Sequence, residues 1–491
     1  MKKFLALALA LAMVFALTAC GVTSTTDTGS SGASGSSGSS APAASSDSGS
    51  SAPAASSGSG SSAPAASSDS GSTEAPAEPG EAAAASEITL WTYPIGNWGN
   101  EETVNELTAA FAAETGINVK VEYLTYTDGD DKVNTALTAN QAPDLIMEGP
   151  ERLVSNWGAN GYMVDISDLI DDTDRSEINA AALDACFAPS GAMYEYPLVM
   201  TAHCMGINLN AFQAAGADQY IDVNTHTWTT EQFLNAMQAL YNTYGDTVAA
   251  VFCGGQGGDQ GTRALVNNLY GGTFTNAEHT AYTRDDPKNI QALQTLYGLD
   301  GVDFDPAIVA SDEIANFYNG IFKVAFCWNI AQQLNPNSAG TGAGKTLSGD
   351  DIVFMSFPSE DGNAKLQGGI WGFGIFNNGD ESRIAAAKQF IKYMCDSAHT
   401  VDAVRASNFF AARSAAEGAD LSGVWSDNEI MNEYTKLMPY LGDYYQVTTG
   451  WAQARTAWWN MLQQVGASDG SEEAIAAAVA EFCGQANAAA G

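Results

Sequence analysis

Beyond residue 87 the apolar positions of this chain repeat at two spacings in turn. Ile88 and Leu90 flank Thr89, and Trp91 closes the run, which reads as a short strand. Behind Asn100, a helix N-cap with Glu101 and Glu102 in its first turn, Val104, Leu107 and Phe111 recur at helical spacing. Gly116 ends that helix. Ile117, Val119, Val121 and Tyr123 then alternate with Asn118, Lys120 and Glu122, a period-two strand. Strand, helix and strand in this order predict a βαβ unit. Asp128 to Gln141, carrying Val133 and Leu137, reads as a second helix, and Pro143 to Met147 as the next strand. The expectation is an α/β lobe with a largely parallel sheet.

One stretch breaks this rhythm. Gly191 to Asn208 is mostly apolar and extended, with Pro197 near its start and the polar Asn208-Leu209-Asn210 at its end. The proline removes a backbone donor, so its early part is no ordinary central strand, whereas the later part reads as a buried one. A segment of this kind can leave one sheet and enter another. Further along, Thr229 and Gln232 form a capping box ahead of a helix whose buried face carries Phe233, Met237 and Leu240. Val248 to Cys253 reads as a strand leading into the flexible loop Gly254 to Asp259. Ile352 to Pro358 reads as a second crossover, Gly340 to Gly349 as an exposed insertion, and Ala386 to Met394 as an amphipathic helix.

The N-terminus has a different character. Lys2 and Lys3 precede an apolar run, Phe4 to Leu17, that is short for a bilayer span, and Leu17-Thr18-Ala19-Cys20 follows. This resembles a bacterial lipobox. It implies a signal peptide over residues 1–19, cleavage before Cys20 and acylation of its sulfur, with two acyl chains holding where one is marginal. From Cys20 to residue 86 the chain is mostly Ser, Gly, Ala and Pro with sparse acids, and three near-identical 11-residue units run from Ser39 to Gly71. Without large apolar residues such a repeat cannot offset its ordering entropy. As a flexible tether it spans roughly 45 Å root-mean-square.

The chain of 491 residues has a formal net charge of −38, and losing Lys2 and Lys3 without an acid takes it to −40. That surface repels nucleic acid and anionic headgroups. After Cys20 six cysteines remain, none in a C-x-x-C pair, and Cys204, Cys253 and Cys327 sit in apolar runs as buried free thiols do. No zinc framework is present among them or the four histidines, and no cofactor is implied.

Three motifs invite other readings. Gly340 to Thr346 approximates a phosphate loop, but Ala339 stands where a glycine is required and no strand precedes it. Gly466-Ala467-Ser468-Asp469-Gly470 fits G-x-S-x-G, yet it follows a helix and no histidine comes after it. Asp165, Asp168, Asp171, Asp172 and Asp174 lack the loop of a calcium-binding EF-hand and read as a solvated helix end.

Taken in order, Leu90-Trp91, Glu114-Thr115-Gly116-Ile117-Asn118-Val119, Pro143-Asp144-Leu145-Ile146, Gly161 to Ile166, Tyr194-x-Tyr196-Pro197-Leu198 and the later Gly368-Gly369 strand carry a resemblance. The chain is similar over Ile88 to about Asn487 to the family 1 extracellular solute-binding proteins of ABC importers, the maltose-binding-protein-like group. It departs from their pattern at His226 and Ala411, where proline is usual. The resemblance implies an α/β, two-lobed type II periplasmic-binding-protein fold with hinge crossovers. Lobe 1 is expected to take residues 87–200 and 358–412, and lobe 2 residues 201–357 and 413–491.

Ligands of α/β sheets sit beyond the carboxyl ends of strands, which here carry Trp91, Tyr93, Glu148 and the loop with Gln256. The family adds contacts at the first crossover, holding Tyr196, Thr201 and His203, and at positions matched by Trp328, Trp371 and Trp451. At least two of these four tryptophans are expected to touch ligand. Flat rings suit the apolar faces of sugars, and Glu148, Gln256 and Asn329 suit their hydroxyls. With only eight arginines, an anionic ligand is disfavoured.

The expectation is therefore a monomeric binding lipoprotein on the outer face of the bacterial cytoplasmic membrane, delivering a carbohydrate, an oligosaccharide above all, to an ABC permease. No catalytic residue is singled out. The alternative is a receptor for a cation such as a polyamine or quaternary amine, caged by tryptophans with Glu148 and Glu151. Further alternatives are a surface glycosidase or an adhesin.

Overall fold

The computed structural model describes residues 84–491 except 127, 254–258, 284–285 and 336–341. The expected signal peptide, Cys20 and nearly all of the tether lie outside the described residues, as do part of the phosphate-loop-like segment and Gln256. Among the described residues no helix is long and apolar enough to cross a membrane.

The βαβ unit forms as the two periods predict. Strand β1 (Glu87–Thr92) pairs in parallel with β2 (Asn118–Tyr123) on one side and β3 (Leu145–Glu148) on the other. Helix α1 (Glu101–Thr115) connects the first two; Asn100 caps it by accepting from the Thr103 amide, and Gly116 ends it at φ +75°. Its buried Val104 and Phe111 face the sheet side that also holds Phe390 of α5 (Glu381–Cys395), with the two phenyl rings 5.1 Å apart. Between them in the chain lie α2 (Gly129–Thr138), α3 (Thr230–Tyr244) and α4 (Asp259–Tyr270). The capping box of α3 is present, Thr229 and Gln232 each bonding the other's backbone amide.

The crossover stretch divides at His203. Strand β4 (Tyr196–Ala202) belongs to the first sheet and β5 (Cys204–Asn208) to a second. Pro197 lies inside β4, opposite Gly372 of β10 (Gly368–Ile375), where the register with β10 shifts. Its missing amide is tolerated because β11 (Phe410–Ala411), the neighbour on the other side, reaches only Met200 and Val199. The first sheet thus runs β11-β4-β10-β3-β1-β2. It is mixed rather than largely parallel: β10 is antiparallel to both β3 and β4, because it enters from the second sheet.

In the second sheet β5 lies between β8 (Val324–Trp328) and β9 (Ile352–Met355), antiparallel to both. The second passage between sheets is the stretch from Ser356 to Gln367 rather than a continuous strand, and Val248 to Cys253 narrows to the two-residue strand Ala249–Ala250. The chain closes with α6 (Trp451–Ala467) and α7 (Glu472–Ala490), packed on each other, and the G-x-S-x-G segment spans the end of α6 and the turn between them. Cys186, Cys204, Cys253, Cys327 and Cys395 are buried free thiols, and Cys483 is buried as well.

Four of the five aspartates in the run have their carboxylates engaged within the protein. Asp171 caps a short helix, Asp168 pairs with Lys388, and Asp165 accepts from the Ser167 and Met193 amides. Asp174 pairs with Arg413 at 3.0 Å.

Candidate ligand-binding site

The ends of β3, β4 and β10 meet the segment Asp443–Gln446, and two polar clusters flank that meeting point. Gln446 donates to the Gly368 carbonyl at 3.3 Å, and Gln367 donates to the Asp443 carbonyl at 2.9 Å, which fixes the segment on the start of β10. Its two tyrosines then diverge. Tyr445 accepts from Arg263 Nε at 3.2 Å, while Tyr444 donates to Glu151 Oε2 at 2.8 Å.

The first cluster is built on α4. Asp259, at its N-terminus, is paired with Arg263 one turn on and with Arg455 of α6. Burial alone would raise the Asp259 carboxyl, but the two guanidiniums overcome it and hold the group well below the usual carboxylate range. Arg263 is fully buried and lies 4.8 Å from the Trp451 ring, with Phe274 and Tyr445 also against it. His203 is within electrostatic reach of the trio. Burial pushes its imidazole down to about 4, with both arginines adding to the shift, so it is neutral at physiological pH.

Around this cluster buried polar atoms lack hydrogen-bond partners among the described residues: Thr201 Oγ1, His203 Nδ1, Gln260 Oε1, Arg263 Nη2 and Gln367 Oε1. Contacts link their residues into one locus. His203 donates its amide to the Gln367 carbonyl at 2.7 Å, Thr201 is paired with Gly369, and Gln260 is the second residue of α4.

The second cluster lies at the carboxyl end of β3. Glu148 is buried, accepts from Arg152 at 3.0 Å, and is pushed up to about 8 by its burial against the pull of that arginine. Arg152 also pairs with Asp130 at 2.8 Å and lies over the rings of Tyr93 and Tyr126. A cavity of about 1210 Å³ abuts this end, lined by Val154, Ser155, Tyr194, His279, Asp443 and Tyr444 among others.

The residues expected from sequence fall in several places. Thr201, His203 and Trp451 belong to the first cluster, and Tyr93 and Glu148 to the second. Trp91 is half-buried on β1 with Lys132 over its ring at 5.2 Å. The Tyr196 hydroxyl donates to Asp174 at 2.9 Å and accepts from Arg413 at 3.2 Å. Trp328 is turned into the packing of the second sheet, against Phe317 and Tyr318, with its indole N–H on Gln333. Asn329 caps the short helix Ile330–Leu334, and Trp371 stacks on Phe409 at 4.8 Å. Of the four tryptophans, Trp451 lies in the first cluster, against Arg263. Gln367, Gln260, Tyr444, Tyr445 and Glu195 went unnoticed in the sequence, where a lone amide or tyrosine outside any periodic run carries no signal. For Gln367 a hint existed, since it directly precedes the Gly368-Gly369 pair.

A family model, described as bacterial extracellular solute-binding protein, matches residues 97–398. The chain belongs to this family. Its fold is shared by solved structures at low identity. The cyclic α-maltosyl-1,6-maltose binding protein from Arthrobacter globiformis matches with a TM-score of 0.64 and 18% identity, over 82% of this chain and 98% of that one. The sugar-binding protein MalE from Xanthomonas citri matches with a TM-score of 0.65 and 15% identity, over 82% and 97%. The GacH receptor of Streptomyces glaucescens, solved unliganded and with acarbose, matches with a TM-score of 0.59 and 16% identity, over 80% and 96%. No curated protein matches. The two-sheet architecture with its crossover at His203 is thus that of a solute-binding protein.

Proposed function

We propose that this protein captures an oligosaccharide between its lobes, which close on a hinge at the inter-sheet passages, and delivers it to an ABC permease from a lipid anchor at Cys20. The observation that carries the carbohydrate reading is the set of buried, unpartnered polar atoms at the crossover. Burying polar atoms without partners is costly, so such a set in one place calls for a polar ligand. Its chemistry is mixed. Gln260 Oε1 and Gln367 Oε1 only accept, Arg263 Nη2 only donates, and Thr201 and His203 can do either. Hydroxyl groups, each donor and acceptor at once, match that mixture. An anion would face two carbonyl oxygens with nothing to offer them.

Trp451 beside the same cluster supplies an aromatic ring of the kind that sugars stack on. The fold neighbours whose names state a sugar ligand are consistent with this. Assaying binding and turnover on one panel of solutes separates this reading from a glycosidase or an adhesin: oligosaccharides should bind and be recovered intact, and hydrolysis of the bound sugar would refute it.

A further inference from the structure

The second cluster contains more carboxyl groups than its one cation can match. Glu148, Glu151 and Glu195 converge on the end of the first sheet, where among the described residues Arg152 is the only basic partner, and Arg152 is already shared with Asp130. Gly372 of β10 is paired with Glu148 on one side and with Pro197 on the other. Residues directly opposite share a face, and Glu195, two residues before Pro197 in an extended run, falls on that same face. The position between the two carboxyl groups is therefore a glycine, with no side chain of its own. Glu151 reaches the same place from the following turn, since a Cβ on Gly149 would come 2.8 Å from its Oε2.

Glu195 is the odd member. It is fully buried, and neither carboxyl oxygen has a hydrogen-bond partner among the described residues. A carboxyl group in that condition is costly whether ionised or neutral, and the cost is recovered only by a donor or a cation. The cavity runs beside the cluster. Tyr194, next to Glu195, and Tyr444, bonded to Glu151, both line the 1210 Å³ cavity.

We propose that the sugar taken by this cleft carries a protonated amine, held by Glu195 together with Glu151 and Glu148. The proposal rests on the oligosaccharide reading and names the class of sugar. The first cluster, with two arginines against one aspartate, would repel the amine, so the ligand has one orientation: hydroxyls toward Thr201 and Gln367, amine toward Glu195. Glu195 and Glu148 are both raised, first by burial and in Glu195 also by the neighbouring glutamates, and an incoming ammonium reverses that cause by supplying the missing positive charge.

Titration calorimetry on the mature chain tests this with α-1,4- and β-1,4-linked oligosaccharides, each offered as the neutral sugar, the 2-amino-2-deoxy form and its N-acetylated counterpart, and with spermidine. An amino form should bind at least tenfold more tightly than its N-acetylated counterpart. The advantage should shrink as salt rises, and Glu195→Gln should abolish it, bringing the amino and N-acetylated forms to within about twofold of each other. Should Glu195→Gln fail to fold, the salt dependence in the wild-type chain decides. Neutral sugars bound with no amine advantage would overturn this inference and leave the oligosaccharide reading intact. Spermidine bound while every sugar fails would overturn the oligosaccharide reading and leave amine recognition standing. Failure of every probe would overturn both.

Discussion

Tyr444 donates its hydroxyl to Glu151 across a sequence separation of 293 residues. The bond ties the end of β3 to the segment that leads into α6, and by the proposed lobe boundaries it spans the two parts that a hinge would move. Tyr444 is 6% exposed and Glu151 half-buried, and a bond to a carboxylate in such a place contributes about 1.5–3 kcal/mol. Tyr444→Phe should therefore loosen the ligand-free molecule. Solution scattering should give a larger radius of gyration for the variant than for wild type without ligand, and similar values at saturation. Equal radii in the ligand-free state would show that this bond does not hold the lobes.

Thr201→Val separates a ligand contact from a structural one. The substitution keeps the shape of the side chain and removes a buried hydroxyl that has no partner. Urea unfolding should show stability unchanged or raised by up to about 1 kcal/mol. Affinity for the oligosaccharide should fall about tenfold, ~1.4 kcal/mol. A loss of stability with affinity retained would place Thr201 in the scaffold.

The sequence made the architecture plain wherever one face of an element is buried. Ile88 and Leu90, or Val104 and Phe111, repeat at the period of their element because the core demands it, and the cap at Asn100 and stop at Gly116 mark its ends. Even the change of sheets near His203 could be read from an apolar extended run with a proline. What the sequence hid was direction and distance. Trp328 and Trp371 were visible as aromatic supply, but only packing decides that one turns into the core against Phe317 and the other stacks on Phe409. Glu195 and Tyr444 acquire their setting from residues far off in the chain, and no local period records that.

His203 gives the cleft a signature in acid. Burial, with Arg263 and Arg455, holds its imidazole at about 4, below the ordinary value of about 6.5. With a depressed folded value, its contribution is complete above pH 6.5 and is lost as pH falls toward 4, because the unfolded chain takes up the proton first. The loss is on the order of 3 kcal/mol. Urea midpoints at pH 7 and pH 4.5 should differ less in His203→Gln than in wild type. Equal differences would mean that His203 titrates normally.

Anchoring at Cys20 is testable apart from the cleft. Cys20→Ala should abolish labelling by a radioactive or alkyne-bearing fatty acid and stop normal processing of the signal peptide. Labelling that persists in the variant would contradict the lipid attachment.

The central claim is that the hydroxyls of an oligosaccharide satisfy the polar atoms around Thr201, His203, Gln260, Arg263 and Gln367. Titration calorimetry of the mature chain with neutral oligosaccharides and with polyamines, at low and high salt, addresses it most directly. The account predicts saturable binding of at least one neutral oligosaccharide, with an affinity that barely changes as salt rises. Binding of a polyamine, weakening with salt, while no oligosaccharide binds at all would contradict it.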